Sequence, residues 1–60
     1  ILRLLGGGMR KSILIVEDDM MMLEALTSCL IQEFDVTAVS TVTRALFAIS
    51  HSPFDFLITD

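Results

Sequence analysis

The sequence predicts an α/β fold in which three parallel strands alternate with two helices, β-α-β-α-β. The apolar run 12–16 is followed directly by acidic residues and the run 54–60 ends in one, which is typical of buried strands that stop at a surface. Between them, apolar residues recur at intervals of three and four, as in amphipathic helices. Alternating strands and helices with short connections favour parallel strands joined by right-handed crossovers. At 60 residues the chain holds at most one small domain.

The first half of the chain predicts a central strand followed by a helix. Residues 12–16, "SILIV", are apolar on both faces. Asp19 can cap a helix that runs from Met20 to about residue 34. Its apolar positions predict the face that packs on the sheet: Met22, Leu26, Cys29, Leu30 and Phe34. We therefore expect Cys29 to be a buried thiol, and Met20, Met21 and Met22 to fill the core with one thioether exposed.

The second half predicts a weaker strand, a second helix and a third strand. Residues 35–40 alternate but are less apolar, so this strand is expected near a sheet edge. Ser40 or Thr41 caps the second helix, and Pro53 stops it. The apolar stripe of this helix has the spacing i, i+3, i+4, i+7: Val42, Ala45, Leu46 and Ile49. His51 is expected at its solvated end, and Asp55 at the start of the third strand, apart from the other acids.

Composition limits the function classes. The chain carries a formal net charge of −4 and no cluster of Lys or Arg, so nucleic-acid binding by this segment is not expected. No apolar run reaches the roughly 20 residues that span a bilayer, so no membrane association is expected either. With Cys29 as its only cysteine the chain forms no internal disulfide, which favours a cytoplasmic location.

The first eight residues, "ILRLLGGG", differ from the rest of the chain. Their Gly6-Gly7-Gly8 run is typical of a flexible linker, and Met9 is a natural start. We therefore expect residues 1–8 to be a tag, a linker or translated upstream sequence, and residues 9–60 to be the folded part.

Carboxylates end two of the predicted strands. Glu17 and Asp18 follow the first strand, and Asp60 ends the third. The carboxyl ends of parallel strands share one edge of the sheet, where ligands bind in open α/β folds. Carboxylates a few Å apart repel unless a cation is present. Oxygen-only ligands with open positions suit Mg²⁺, and an Asp can then accept a phosphoryl group. The alternative is a solvated acidic loop that only caps a helix.

These residues carry a resemblance to a known family. "KSILIVEDD", followed about forty residues later by "PFDFLITD", resembles the N-terminal half of a response-regulator receiver domain of two-component signalling. The resemblance covers residues 10–60. It implies half of a doubly wound, flavodoxin-like fold with strand order 2-1-3, so that residues 9–60 are expected to be a truncated receiver, from its first strand to the end of its third.

The resemblance also implies roles for the acids. Asp60 would be the phosphoacceptor, with a sensor histidine kinase as phosphoryl donor. Asp18 would bind Mg²⁺ directly and Glu17 through water, while Asp60 would give the metal a further oxygen. Asp19 is either part of this site or a helix cap alone. A receiver assists its own phosphorylation and is not an enzyme acting on a separate substrate.

The chain also departs from the family pattern. The family's switch Ser or Thr and its phosphate-pairing Lys would lie beyond Asp60. We therefore expect the 60-residue chain to be inactive in phosphotransfer, and its third strand to offer an apolar edge for self-association.

Two alternatives remain open from the sequence. A Toprim-like metal-dependent phosphodiester or nucleotidyl-transfer domain would need an acid at position 62, and usually has Gly where Asp18 stands. A receiver-like module that is not phosphorylated and serves only in dimerisation is the other.

Overall fold

The computed structural model describes residues 10–59 and confirms the predicted fold class. Three strands and two helices alternate along the chain: β1 Lys11–Val16, α1 Met20–Leu30, β2 Phe34–Val39, α2 Val42–His51 and β3 Phe56–Thr59. The strands form one parallel sheet in the order β2-β1-β3. In this described part of the chain, no helix has the length and apolar character needed to cross a membrane.

The core is centred on β1, the middle strand. Ile13 pairs with Val36 of β2 on one side and with Phe56 of β3 on the other. Ile13, Leu14 and Ile15 are consecutive and all buried, so both faces of this strand are covered. Each helix contacts β1 and β2, and within residues 10–59 the helices do not contact each other. The two helices therefore lie on opposite faces of the sheet.

Helix α1 is rotated relative to the prediction. The residues that face the sheet are buried or half-buried: Leu23, Leu26, Thr27 and Leu30. Met22 and Cys29 were predicted to face the core, and both predictions are wrong, because each lies about one residue out of phase with this face and is exposed. Met20 and Met21 are exposed as well, so the expectation that the methionines fill the core is also wrong.

Phe34 belongs to β2 and not to the first helix. Helix α1 ends at Leu30, and the amide of its C-cap residue, Ile31, donates to the Thr27 carbonyl oxygen at 2.9 Å before a turn follows. The Phe34 ring then packs edge-to-face on Phe56, with ring centroids 5.9 Å apart. In the sequence, Phe34 stands four residues after Leu30, so its spacing also fits the apolar stripe of the first helix. No Gly or Pro marks the turn that separates it from the helix.

Helix α2 begins as predicted but buries less of its stripe. Thr41 is the cap, with its Oγ1 accepting a hydrogen bond from the Arg44 amide at 3.1 Å. Ala45 is buried, whereas Val42, Leu46 and Ile49 are exposed, contrary to the prediction of one packed stripe. Over β3 the packing of this helix is open, since Ile49 and Leu57 line a cavity of about 290 Å³.

Candidate functional site

The carboxyl ends of the three strands form a shallow cavity. The ladder between β1 and β2 extends past Val16, since the Glu17 amide donates to the Val39 carbonyl oxygen at 3.1 Å. The cavity measures about 250 Å³, and all three strand ends contribute to its lining: Val16, Asp18, Ser40, Val42 and Thr59. The fold therefore has a concave surface at the edge where the sequence predicts ligand binding.

The three consecutive acids after β1 have different local roles. Asp19 caps α1, with its Oδ1 accepting from the amides of Met21 at 3.0 Å and Met22 at 3.1 Å. The Glu17 Oε2 accepts from the Asp19 amide at 3.1 Å. The Asp18 carboxylate is exposed and accepts no hydrogen bond from any residue between 10 and 59. Asp18 is therefore the acid of this segment that is free to bind a ligand at the cavity.

Asp60, the predicted phosphoacceptor, lies outside the described residues. Thr59, which precedes it, lines the same cavity as Asp18. Within the described range of 10–59, no group of three His, Cys, Asp or Glu side chains could hold a metal ion. The predicted set of Glu17, Asp18 and Asp60 includes one residue beyond that range and stays a prediction. Its donors are all carboxylate oxygens, which fit a hard cation such as Mg²⁺.

A second arrangement of polar groups lies at the opposite end of the strands. The Ser12 amide donates to the Asp55 Oδ2 at 2.8 Å, and the Asp55 amide donates to the Ser12 carbonyl oxygen at 3.0 Å. The pKa of Asp55 lies below its ordinary value of 3.8, mainly because the Ser12 backbone amide donates to the ionised carboxylate. Desolvation raises this pKa, whereas the Ser12 hydroxyl and the charge of Lys11 lower it further. This pair, which the sequence reasoning missed, fastens the start of β3 to β1.

The prediction that Asp55 stands apart from the other acids is confirmed. Ser12 lies at the amino end of β1, whereas Glu17 and Asp18 follow its carboxyl end. The sequence held one signal for this contact, a Ser opening one apolar strand and an Asp just before another. Two strands that start side by side bring such residues together.

A second cavity is larger than the one at the strand ends. It measures about 700 Å³, lies between α2 and the β2 edge, and includes Arg44, Phe47 and His51 in its lining. The His51 ring stacks on Phe47 with centroids 4.0 Å apart, and its Nδ1 lies 2.8 Å from the Phe47 carbonyl oxygen. His51 is exposed at the end of α2, as the sequence predicts. No acidic residue lines this cavity, so it is chemically distinct from the strand-end cavity.

Comparison of the chain with protein-family models, with curated proteins and with solved structures found no match. The functional argument therefore rests on the fold, on the strand-end cavity and on the acids beside it.

Proposed function

We propose that residues 9–60 form the phosphoacceptor half of a receiver domain, the input module of a two-component response regulator. In this proposal a sensor histidine kinase transfers a phosphoryl group to Asp60. The observation that carries it is the position of the uncommitted Asp18 carboxylate, at a cavity formed by the ends of all three parallel strands. The Thr59 side of that cavity leads directly into Asp60 along the chain.

The acids of this proposed site have distinct tasks. Asp18 holds Mg²⁺ directly, Glu17 holds it through water, and Asp60 contributes an oxygen. The bound ion supplies positive charge that offsets the repulsion between the carboxylates and the charge of the phosphoryl group. The Asp60 carboxylate is the nucleophile that receives the phosphoryl group. Asp19 is assigned to the helix cap alone, because its Oδ1 is already committed to two amides.

The remaining properties of the chain agree with this role. A histidine kinase is the proposed protein partner, and the cytoplasm the proposed location. The acidic surface gives no reason to expect nucleic-acid binding by these residues. The protein takes part in its own phosphorylation but transforms no separate substrate, so we do not propose an enzyme.

The 60-residue chain is expected to be inactive in phosphotransfer by itself. Its only lysine, Lys11, begins β1 at the end of the sheet opposite the acids. No lysine of these 60 residues is therefore placed to pair with a phosphoryl group on Asp60. Incubation with acetyl phosphate and Mg²⁺ should leave the chain unlabelled, and stoichiometric labelling of Asp60 would contradict this part of the proposal.

A chimera gives the direct test of the site. Residues 10–60 are joined to the second half of an established receiver, which supplies the fourth and fifth strands with their switch hydroxyl and lysine. With acetyl phosphate and Mg²⁺, mass spectrometry should detect one added phosphoryl group. Asp60→Asn should abolish the addition and Asp18→Asn should strongly reduce it, while Asp35→Asn, at an exposed residue near the start of β2, serves as a matched control. A folded chimera that takes up no phosphoryl group, or an Asp60→Asn variant that still does, would refute the proposal.

A further inference from the structure

The larger cavity, between α2 and the β2 edge, has the size and lining of a ligand pocket. Its volume is about 700 Å³, and small-molecule sites in proteins measure about 300–1,000 Å³ and combine apolar walls with a few polar groups. Three side chains on one face of α2 line it, at positions i, i+3 and i+7: Arg44, Phe47 and His51. Thr37 and Val39 of β2 line it as well. The cavity therefore brings together a positive charge, aromatic surface and a hydroxyl group.

The place of this cavity in the sheet keeps it apart from any further strand. The strand order is β2-β1-β3, so β1 separates the cavity at β2 from the other edge of the sheet, at β3. A chain that continues past Asp60 starts at the carboxyl end of β3. Because consecutive elements are usually neighbours, we expect a further strand beside β3. The cavity at β2 then stays open.

The charge of the cavity favours an anion, and its aromatic groups favour a flat ring. Arg44 lines the cavity and no Asp or Glu does, and a guanidinium binds a phosphate or carboxylate through two parallel hydrogen bonds. The formal net charge of −4 on the whole chain repels polyanions, so a ligand with a single oxyanion group fits best. The Phe47 and His51 rings stack with centroids 4.0 Å apart, and Phe47 is 65% exposed. A planar ring can therefore stack on this aromatic surface.

The hydrogen bonds of His51 leave one of its ring nitrogens as an acceptor. Nδ1 lies 2.8 Å from the Phe47 carbonyl oxygen. A carbonyl oxygen only accepts, so the proton of the neutral ring is on Nδ1 and Nε2 carries a lone pair. Along α2, Arg44 and His51 are two turns apart, which is about 10 Å. A ligand of that length can place its oxyanion at Arg44 and an N–H group at His51.

We propose that the cavity between α2 and β2 binds a small aromatic anion, a planar ring system that bears an N–H group and one phosphate or carboxylate. Arg44 holds the oxyanion, Phe47 and His51 stack on the ring, and the His51 Nε2 accepts the hydrogen bond from the N–H group. A metal ion does not fit this site, because His51 is the only His, Cys, Asp or Glu among the lining residues. The site is separate from the acids at the strand ends and extends the function beyond phosphorylation.

Two probes test the proposal: adenosine monophosphate, with a phosphate, and indoleacetate, with a carboxylate. In an NMR titration of the isotope-labelled 60-residue chain, at least one probe should bind with a Kd below about 1 mM and shift the amide signals of α2 around Arg44 and Phe47. Adenosine and methylindole lack the oxyanion, and ribose phosphate and acetate lack the ring. Each should bind at least about 10-fold more weakly than its parent probe. The tighter probe identifies the oxyanion.

Variants locate the bound probe. Arg44→Gln should weaken binding at least about 10-fold, because the oxyanion loses its charged donor. Phe47→Leu should weaken it at least about 3-fold, because stacking is lost. Lys11→Gln is the matched control and should change the Kd less than about 2-fold. It removes one positive charge from the other face of the sheet, since alternation along β1 places Lys11 opposite Leu14, which shares a cavity with α2. Circular dichroism verifies that each variant is folded.

Several results would overturn the proposal. If neither probe binds below about 1 mM, the cavity is not a site for aromatic anions. Binding that survives Arg44→Gln places the probe elsewhere. The same titration on the chimera of residues 10–60 with the second half of an established receiver should keep the binding, and its loss there would show that the rest of the domain closes the cavity. None of these titrations depends on phosphorylation of Asp60, so this site and the proposed function can fail separately.

Discussion

Two adjacent acids, Asp18 and Asp19, should respond to replacement by alanine in different ways. Asp19→Ala removes two hydrogen bonds from the first turn of α1 and a negative charge from its amino end. Loss of an N-cap lowers the stability of a protein by about 0.5–2 kcal/mol. Loss of a negative charge at the start of a helix lowers it by about 0.3–1 kcal/mol, and the two effects overlap and are not summed. We expect a decrease of roughly 1–2 kcal/mol in the free energy of unfolding. The total free energy of unfolding of a domain of this size is roughly 3–7 kcal/mol, so this decrease is substantial.

Asp18→Ala is the matched comparison. The Asp18 carboxylate accepts no hydrogen bond from the described residues, and its neighbours Glu17 and Asp19 carry the same charge. Without a divalent cation, the change should alter stability by less than about 0.5 kcal/mol. Urea denaturation followed by circular dichroism, at neutral pH with a chelator, measures both variants. The assignment of Asp19 as the cap is refuted if Asp19→Ala unfolds at the same urea concentration as Asp18→Ala.

The same urea denaturation, repeated with Mg²⁺ in place of the chelator, distinguishes Asp19, the helix cap, from Asp18, the proposed metal ligand. A ligand that binds only the folded state, at ten times its dissociation constant, stabilises it by about 1.4 kcal/mol. The unmodified chain and Asp19→Ala should both gain stability with Mg²⁺, and Asp18→Ala should gain little. If Mg²⁺ stabilises Asp18→Ala but not Asp19→Ala, then Asp19 and not Asp18 binds the ion, and the proposed assignment is wrong.

Three further predictions concern the rest of the fold. Folding lowers the pKa of Asp55, so the ionised carboxylate stabilises the folded state above about pH 4, and this stabilisation is lost as the pH falls through the folded pKa. The unmodified chain and Asp55→Asn should therefore unfold at more similar urea concentrations in acid than at neutral pH. Leu14→Ala should cost about 2–5 kcal/mol and leave little folded protein by circular dichroism, because Leu14 is fully buried. Cys29 should react with a thiol reagent in the native state as fast as in urea, because it is exposed.

The order and type of the elements could be predicted because β1 has only one plausible environment. Three consecutive branched apolar residues, Ile13 to Ile15, require cover on both faces, and cover on both faces requires helices on either side. The caps followed from local chemistry, since a carboxylate or hydroxyl just before a helix binds its free amides. Such short-range requirements hold whatever the rest of the chain does.

Which side of each helix packs on the sheet could not be predicted in the same way. The α1 sequence "MMMLEALTSCL" has apolar residues in several helical phases, so its spacing fits a face containing Met22 and Cys29 as well as the observed one. Contact with β1 and β2 decides between them, and this contact is a property of the assembled sheet. The same reasoning applies to α2, since only Ala45 of its predicted stripe is buried, while Val42, Leu46 and Ile49 are exposed.

The candidate site was predictable in position and less so in detail. Parallel strands fix the edge at which the acids collect, so Glu17 and Asp18 lie where the sequence placed them. The hydrogen bond from the Asp19 amide to Glu17 depends on the turn that follows β1, and residue types alone do not specify that turn. Asp60 lies beyond the described residues, so its place in the site rests on the sequence.

The division of roles among the acids bears on how a metal would be used. Two of the three carboxylates after β1 already accept backbone amide hydrogen bonds, and Asp19 also lies at the positive end of a helix. Much of the cost of collecting these charges is therefore offset by the protein itself. On the proposed function the fold would need no cation to form, and an ion held through Asp18 would be bound and released reversibly. On the proposed function this is the required behaviour, because a signalling phosphoacceptor has to remain folded in every state of its cycle.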